Sequence, residues 1–274
     1  MMNIFAAVTG QVERLMRRAA SDILLPSFRH LTPDQIRYKS PKDVVTDADE
    51  KAEKFLAEGL LEILPSSVVI GEENCHKDPD CLKYLTTAEW AWLVDPIDGT
   101  NNFIRHSDDF GIMIALVNNG QPYAGWIYLP MYDILIAGND ENGVFRNGKE
   151  IGITPTYSRS LDQLCGLFRM RDKDISERME IFPIRHDTHC NAFDYNVLIS
   201  GDSDFIVYPG SNPWDIVAGA VLIQALGGCA AKADGSRIEY DALQNNLPFL
   251  ATRCVSDWPK VAKALFPALQ PTES

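Results

Sequence analysis

Apolar residues recur at helical spacing over residues 3–25, at positions such as Ile4, Phe5, Val8, Val12, Leu15 and Met16. They predict an amphipathic first helix, which Pro26 ends or bends by removing a backbone donor. Residues 31–46 are polar and read as a loop around Lys39-Ser40-Pro41-Lys42-Asp43. A second helix is predicted from Ala48 to Leu64, with Ala52, Phe55, Leu56, Leu60 and Ile63 on one face and Thr46 or Asp47 as its cap. The short β-branched run Val68-Val69-Ile70 ends in Gly71-Glu72-Glu73 and predicts a buried strand delivering carboxylates at its end. Residues 74–89 are charged, contain Pro79 and read as a mobile loop. Ala91–Val94 is a further strand. Gly111–Val117 and Tyr123–Leu129 alternate well enough for antiparallel strands, joined by a turn at Asn118-Asn119-Gly120-Gln121-Pro122. Ile134–Ala137 and Gly143–Phe145 extend that sheet, and Arg146-Asn147-Gly148-Lys149 carries the Asn-Gly signature of a hairpin turn.

The rhythm then changes. Strand-like runs at Leu164–Phe168 and Phe205–Tyr208 alternate with helix-like runs at Ile175–Ile181, Ala192–Ile199 and Trp214–Leu226. Gly227-Gly228 closes the last of these as a helix C-cap. Phe249-Leu250-Ala251 is a final short strand and Trp258–Leu265 a final helix. The first half therefore reads as α+β and the second as α/β, and stacked layers of helices and sheets are expected.

Candidate chemistry enters at Trp92-Leu93-Val94-Asp95-Pro96-Ile97-Asp98-Gly99-Thr100-Asn101-Asn102-Phe103. A buried strand here delivers Asp95 at its end, and Pro96 stops it. Gly99-Thr100 then opens a short helix, and free N–H groups at such a start can hold a phosphate. Carboxylates beside a phosphate repel it unless divalent cations lie between them. The local chemistry points to metal-dependent work on a phosphate ester. Other carboxylates stand at element ends: Asp47, Asp49, Glu72, Glu73 and Asp215. Each taken alone reads as a cap or a solvated residue; their ordered combination does not.

Composition narrows the class. The chain has 274 residues, 46% hydrophobic and 23% charged, which suits a globular protein with a large core. No apolar run approaches the ~18–20 residues that span a bilayer. The first eighteen residues lack the order of a signal peptide, so a cytoplasmic location without membrane attachment is expected. A net charge of −13 disfavours nucleic-acid binding, because a phosphate backbone repels such a surface. Six cysteines without a CxxC pair read as reduced thiols. Cys75, His76 and Cys81 lack the closing fourth ligand of a zinc site.

At this point the blocks resemble the inositol monophosphatase family of Mg²⁺-dependent, lithium-sensitive sugar phosphatases. The matching blocks are Gly71-Glu72-Glu73, Trp92 to Phe103 with its Asp-Pro-Ile-Asp-Gly-Thr core, and Pro213-Trp214-Asp215 with Ala218-Gly219-Ala220 and Gly227-Gly228. Ser40 to Thr46, followed by Asp49, fits the family's early loop and helix. The resemblance implies a layered αβαβα sandwich, one unit over residues 1–274 with halves at 1–150 and 151–274. It implies two or three Mg²⁺ ions per subunit, with Mn²⁺ able to substitute. Glu72, Asp95 and the Ile97 carbonyl match ligands of the first metal; Asp95, Asp98 and Asp215 match those of the second. Asp49 and Thr100, with Glu72, match residues that orient and activate water. The backbone of Gly99 and Thr100 matches the phosphate cradle. The implied reaction is hydrolysis of inositol monophosphate, or a related small polyol or sugar phosphate, by a metal-activated water, with no covalent enzyme intermediate.

On the substrate side the resemblance points to Ile97, Asp98, Gly99, Thr100, Asp215 and the segment Cys190-Asn191-Ala192, which stands where the family has a Gly-Thr-Ala-type stretch. Members acting on inositol phosphate place a glutamate seven residues before the metal-binding Asp; here that residue is Tyr208. A tyrosine offers one hydroxyl and a ring face in place of a carboxylate. His189 and Asp194, close by, read as structural. Other substrates in view are histidinol phosphate, fructose 1,6-bisphosphate and the 3′-phosphate of an adenosine bisphosphate. The last two need basic pockets for a second phosphate, and residues 185–215 supply only Arg185. Some bacterial members are binding partners of the transcription machinery, a second class of role. The apolar strands over 111–137 match surface the family uses to form a homodimer.

Overall fold

The computed structural model describes residues 3–40, 43–152, 159–169, 173–186, 188–210, 212–236, 238 and 247–270. Positions 41 and 42 of the early Ser-Pro-Lys-Asp motif lie outside them. Helix α1 (Ile4–Ala19) is capped by the Asn3 side chain, which accepts from the Ala6 N–H. One π-helical segment, Ala20–Leu24, links it to α2 (Leu25–Ser27), so the helical path continues through Pro26 and ends soon after it, where Phe28 is extended. Strands β1 (Ile36–Ser40) and β2 (Asp43–Thr46) then pair antiparallel. The polar segment 31–46 is therefore not all loop. β1 is half exposed along its length, so no apolar alternation marks it.

Helix α3 (Asp47–Ile63) starts with a capping box: Thr46 is the N-cap and the Asp49 side chain accepts from the Thr46 N–H. Strand β3 (Val68–Gly71) leads into α4 (Glu72–Lys77), a 3₁₀ turn at Pro79–Lys83 and α5 (Tyr84–Thr87). This corrects the reading of 74–89 as a mobile loop. Buried Cys75, Cys81 and Leu85 pin the segment to the core, and Cys75 and Cys81 form a disulfide, with Cα atoms 5.8 Å apart. The expectation of six reduced thiols fails at that pair.

Strand β4 (Trp90–Asp98) is followed by α6 (Thr100–Ile104) and an antiparallel meander: β5 (Gly111–Asn118), β6 (Gln121–Leu129), β7 (Ile134–Asn139), β8 (Gly143–Arg146) and β9 (Lys149–Ile151). With β3 they form a seven-stranded sheet in the order β3-β4-β5-β6-β7-β8-β9, parallel only between β3 and β4. The two tight turns use Asn119-Gly120 and Asn147-Gly148, all four residues at positive φ, as a two-residue hairpin of matching twist requires.

The second half supplies β10 (Gly166–Phe168), α7 (Lys173–Met179), β11 (Ile184–His186), α8 (Asn191–Ser200), β12 (Phe205–Tyr208), α9 (Pro213–Ala225), β13 (Cys229–Lys232), β14 (Phe249–Thr252) and α10 (Trp258–Leu265). Its sheet runs β11-β10-β12-β14-β13; β10 is parallel to both neighbours and β14 antiparallel to both of its own.

Period-two alternation sorts the side chains into layers. On β4 and β5, Trp92, Val94, Ile112, Ile114 and Leu116 meet α1 and α3, while Leu93, Met113, Ala115 and Val117 meet α8 and α9. The far side of α8 and α9 packs on Leu167, Ile206, Tyr208 and Ala251 of the five-stranded sheet. The other face of that sheet, with Phe168, Phe205, Val207 and Leu250, is covered by α7 and α10. The order of layers is αβαβα. Helix α9 lies between the two sheets and is apolar all round, as such a position demands.

Candidate active site

The chain bends sharply where β4 gives way to α6. Gly99 has φ +86°, and a Cβ there would lie 3.1 Å from both the Asp109 carbonyl oxygen and Cys190 Cβ. Glycine is needed on both counts. The bend turns Asp95, Ile97, Asp98 and Thr100 toward a cavity of about 790 Å³, which Glu72, Asn191, Asn212 and Asp215 also line. Carboxylate oxygens of Asp95, Asp98 and Asp215 all lie within 4.8 Å of one another, although Asp215 is more than a hundred residues downstream.

Each acid is held by its own local structure. Asp95 Oδ1 accepts the Ile97 N–H at 3.1 Å. Asp98 Oδ2 accepts the Ala192 N–H at 2.5 Å and the Cys190 thiol at 3.0 Å. Asp215 stands in the first turn of α9 behind Pro213, and its Oδ2 accepts the Asn212 N–H at 3.0 Å. Capping and clustering are thus done by the same carboxylate. Glu72 opens α4. The two following N–H groups, of Glu73 and Asn74, donate to the buried Glu53 carboxylate at 2.7 and 2.9 Å, which fixes how that helix presents Glu72. Sequence reasoning had not singled out Glu53.

Electrostatics records the crowding. Burial, then Glu72 and Asp98, push the Asp215 carboxyl up to about 8. Burial raises Asp98 to about 6 even though Arg169 pulls it down. Asp95 is raised by burial and by Glu72, Asp98, Asp215 and Asp49 together. Three hard oxygen donors at this spacing, mutually repelling and with Asp95 and Asp98 buried, fit a divalent cation. Asp95, Asp98 and Asp215 would hold it, with Glu72 and the Ile97 carbonyl oxygen at the edge of the same cavity. Glu72 does not join the triad. Lys39 Nζ lies 2.8 Å from its Oε1 and 3.0 Å from Glu73 Oε1, with a side chain only 4% exposed. Lys39 was invisible as a site residue because its strand was read as loop.

Next to the triad is a second small network. The Thr100 hydroxyl lies 3.0 Å from the Ile97 carbonyl oxygen and 3.3 Å from Asp49 Oδ1. Asp49 Oδ2 accepts the Thr46 hydroxyl at 2.6 Å. Burial pushes Asp49 up to about 7, against the lowering effect of Thr46. A carboxylate with that affinity for protons, reached through a hydroxyl, is suited to accept one near neutral pH.

The other predicted substrate-side residues divide. Asn191 lines the cavity, and so does His189, which was read as structural. Cys190, Ala192 and Tyr208 are buried and stand outside the lining; the first two hold Asp98 in place, and the Tyr208 hydroxyl donates to Asp194 at 3.3 Å. Two arginines that sequence reasoning passed over, Arg105 and Arg169, do line it. Arg169 lies outside the 185–215 window searched for basic residues, and its approach depends on strand order.

Comparison with known proteins bears on the family and the fold. The profile of the inositol monophosphatase family matches residues 7–270. A fructose-1,6-bisphosphatase/inositol-1-monophosphatase of Aquifex aeolicus is 28% identical over 226 residues, covering 80% of this chain and 83% of that one. Nus factor SuhB of Xylella fastidiosa is 27% identical, covering 81% and 82%. In three dimensions the extragenic suppressor protein suhB of Bartonella henselae superimposes with a TM-score of 0.79 over 95% of this chain and 98% of its own, at 23% identity.

Proposed function

The chain belongs to the inositol monophosphatase family, a family of metal-dependent phosphatases, and from that premise we propose that it hydrolyses inositol monophosphate or a related small polyol or sugar phosphate. The convergence of Asp95, Asp98 and Asp215 beside the Thr100–Asp49 pair carries this reading. These carboxylates would hold magnesium, as two or three ions or with manganese in its place, which would supply positive charge to the reacting oxygens and make a bound water more acidic. Everything else falls to the chain. Thr100 Oγ1 orients the attacking water, and Asp49 Oδ1 takes its proton. The N–H groups at the start of α6 meet the phosphate, which the absent Cβ of Gly99 lets approach. Asp98, steadied by Cys190 and Ala192, faces the leaving alcohol. Asn191 contacts the rest of the substrate.

The test is release of inorganic phosphate from inositol 1-phosphate. Stimulation by Mg²⁺ and inhibition by Li⁺ are expected; no release from it or from glycerol and hexose monophosphates at any Mg²⁺ concentration would overturn the reading. A cytoplasmic homodimer is part of the same proposal, and sedimentation as a monomer would contradict it. A second reading, favoured by the relative named Nus factor SuhB, is a binding role in the transcription machinery, with or without catalysis. Failure to retain RNA polymerase or ribosomal proteins in a pull-down removes it. Among the described residues, no helix is long and apolar enough to cross a membrane.

A further inference from the structure

We propose that Glu53, which lies outside the cavity, is a positioning residue of the metal site: its carboxylate fixes the backbone that presents Glu72 to the ion. The inference rests on the metal-dependent reading above and deepens it.

Glu53 and Asp49 are four residues apart, so they stand one turn apart on the buried face of α3. Asp49 meets Thr100, and Glu53 reaches the start of α4. Glu53 Oε2 accepts the Glu73 N–H at 2.7 Å, and Oε1 accepts the Asn74 N–H at 2.9 Å. With one bond to each oxygen, the attachment sets orientation as well as distance. Only 8% of Glu53 is exposed, so water does not weaken these bonds. The two amides belong to the group that a helix start leaves without internal partners. Helix α4 has six residues, too few to hold itself as a helix. Lys77 and Glu50 also join α4 to α3, at the far end, but both are solvated and such a pair contributes little. Glu53 docks the first turn.

Gly71 admits this approach. Its φ is −98°, which any residue adopts, so conformation does not require glycine there. Space does: a Cβ would lie 2.3 Å from Glu53 Cδ and Oε2. The residue before Glu72 thus makes room for the carboxylate, and the residue after it is bonded to that carboxylate. Gly71 also pairs with Val94 in the parallel register of β3 and β4. The chain therefore leaves the sheet at Glu72, one step past that pair and beside Asp95. Lys39 acts at the other end of the side chain, with its Nζ 2.8 Å from Glu72 Oε1. A cation at the tip of a flexible side chain follows the carboxylate; the backbone behind it is set by Glu53.

A buried carboxylate also acts on an ion through its charge. Charge and position make opposite predictions for a shortened side chain. Glu53→Asp keeps the charge, but with one methylene fewer it cannot meet both N–H groups. Glu53→Gln keeps the length and one acceptor, and turns an NH₂ toward the other N–H.

Mn²⁺ is titrated into the metal-free protein and the free ion is counted by electron paramagnetic resonance. Thermal melting in EDTA reports the cost to the fold separately. Both variants are expected to raise the Kd of at least one bound Mn²⁺ ion ~10- to 100-fold, the scale for residues that hold metal ligands in place. A wild-type Kd for every bound ion in either folded variant overturns the proposal. In both variants, it would mean that Glu53 serves the fold alone; in Glu53→Asp alone, that it acts by charge. The phosphatase reading survives either result. Hydrogen exchange on the wild type decides the matter even where neither variant folds. The Glu73 and Asn74 amides should exchange as slowly in the metal-free protein as in the Mg²⁺-loaded one. Rapid exchange that slows only with Mg²⁺ would show that the ion orders α4, and would overturn the proposal too. A wild type that binds no Mn²⁺ and releases no phosphate would sink both readings.

Discussion

Asp98→Asn separates the charge of one site carboxylate from its hydrogen bonds. Oδ2 accepts both the Ala192 N–H and the Cys190 thiol, so an asparagine with its amide oxygen in that place keeps both bonds. Its NH₂ then gives the crowded acids a donor. In the metal-free protein burial holds the Asp98 carboxyl at about 6 against an ordinary value of 3.8. A carboxyl raised on folding means that the native state binds more protons than the unfolded one between those values. Its contribution to stability is therefore intact below about pH 4 and is lost as pH rises through about 6. Roughly two units at about 1.4 kcal/mol each amount to about 3 kcal/mol at pH 8. The variant never incurs that cost. In EDTA it should unfold at higher urea than the wild type at pH 8, by up to about 3 kcal/mol, with the difference vanishing toward pH 4. Mg²⁺ should reverse the order. At a thousand times its Kd a ligand adds about 4.1 kcal/mol to the protein that binds it, more than the variant's advantage, and the variant has lost a ligand. Turnover should fall by several orders of magnitude. Urea unfolding followed by the fluorescence of buried Trp92 and Trp126, at both pH values with and without Mg²⁺, reads all of this. A variant that is less stable than wild type at pH 8 in EDTA, or that keeps the wild-type response to Mg²⁺, refutes the reasoning.

Thr100→Val removes the hydroxyl between the Ile97 carbonyl oxygen and Asp49; kcat should drop ~100-fold with the Mg²⁺ midpoint little changed, and a drop under threefold would remove Thr100 from the chemistry. Gly125→Ala would place a Cβ 2.3 Å from the Ala218 carbonyl oxygen on α9, where backbone meets backbone. It should cost about 3 kcal/mol or more by forcing the central helix off its sheet, visible as a lowered melting temperature. Thiol titration in denaturant should find Cys165, Cys190, Cys229 and Cys254 reactive at once, and Cys75 and Cys81 only after reduction. Six thiols before reduction would mean that the bridge is absent from the protein as isolated.

Legibility followed burial. Strands and helices with one apolar face were readable to within a few residues: Phe205–Tyr208 and Trp258–Leu265 stand as read, and the Asn-Gly turns fall where their φ values require. The hairpin of β1 and β2 was not readable, because an exposed strand carries no alternation. The strands β11 and β13 were missed for a related reason: three or four residues at a sheet edge are too few to show a period. Segment 74–89 was misread because its polar composition masks three inward residues, Cys75, Cys81 and Leu85.

The acids of the site were readable because Glu72, Asp98 and Asp215 stand at the ends of recognisable elements, and an element's end is written locally. Asp95 stands at the irregularity near the end of β4, which runs on through Pro96 to Asp98 instead of stopping there. The cations were not. Lys39 reaches Glu72 from the hairpin, and Arg169 reaches the cavity from the end of β10 only because β10 lies beside β12 and α8 begins across from it. Neither neighbour relation can be counted along the chain. The difference bears on function. In the metal-free protein the acids that assemble the site repel one another, and Lys39 sits directly against Glu72 and Glu73. Asp95, Asp98 and Asp215 depend on the ion they would bind, so catalysis and stability respond to the same carboxylates. Arg169 is paired with Asp194 at 2.9 Å and also lowers the proton affinity of Asp98 and Asp215 through its charge, without the direct contact that Lys39 makes with Glu72.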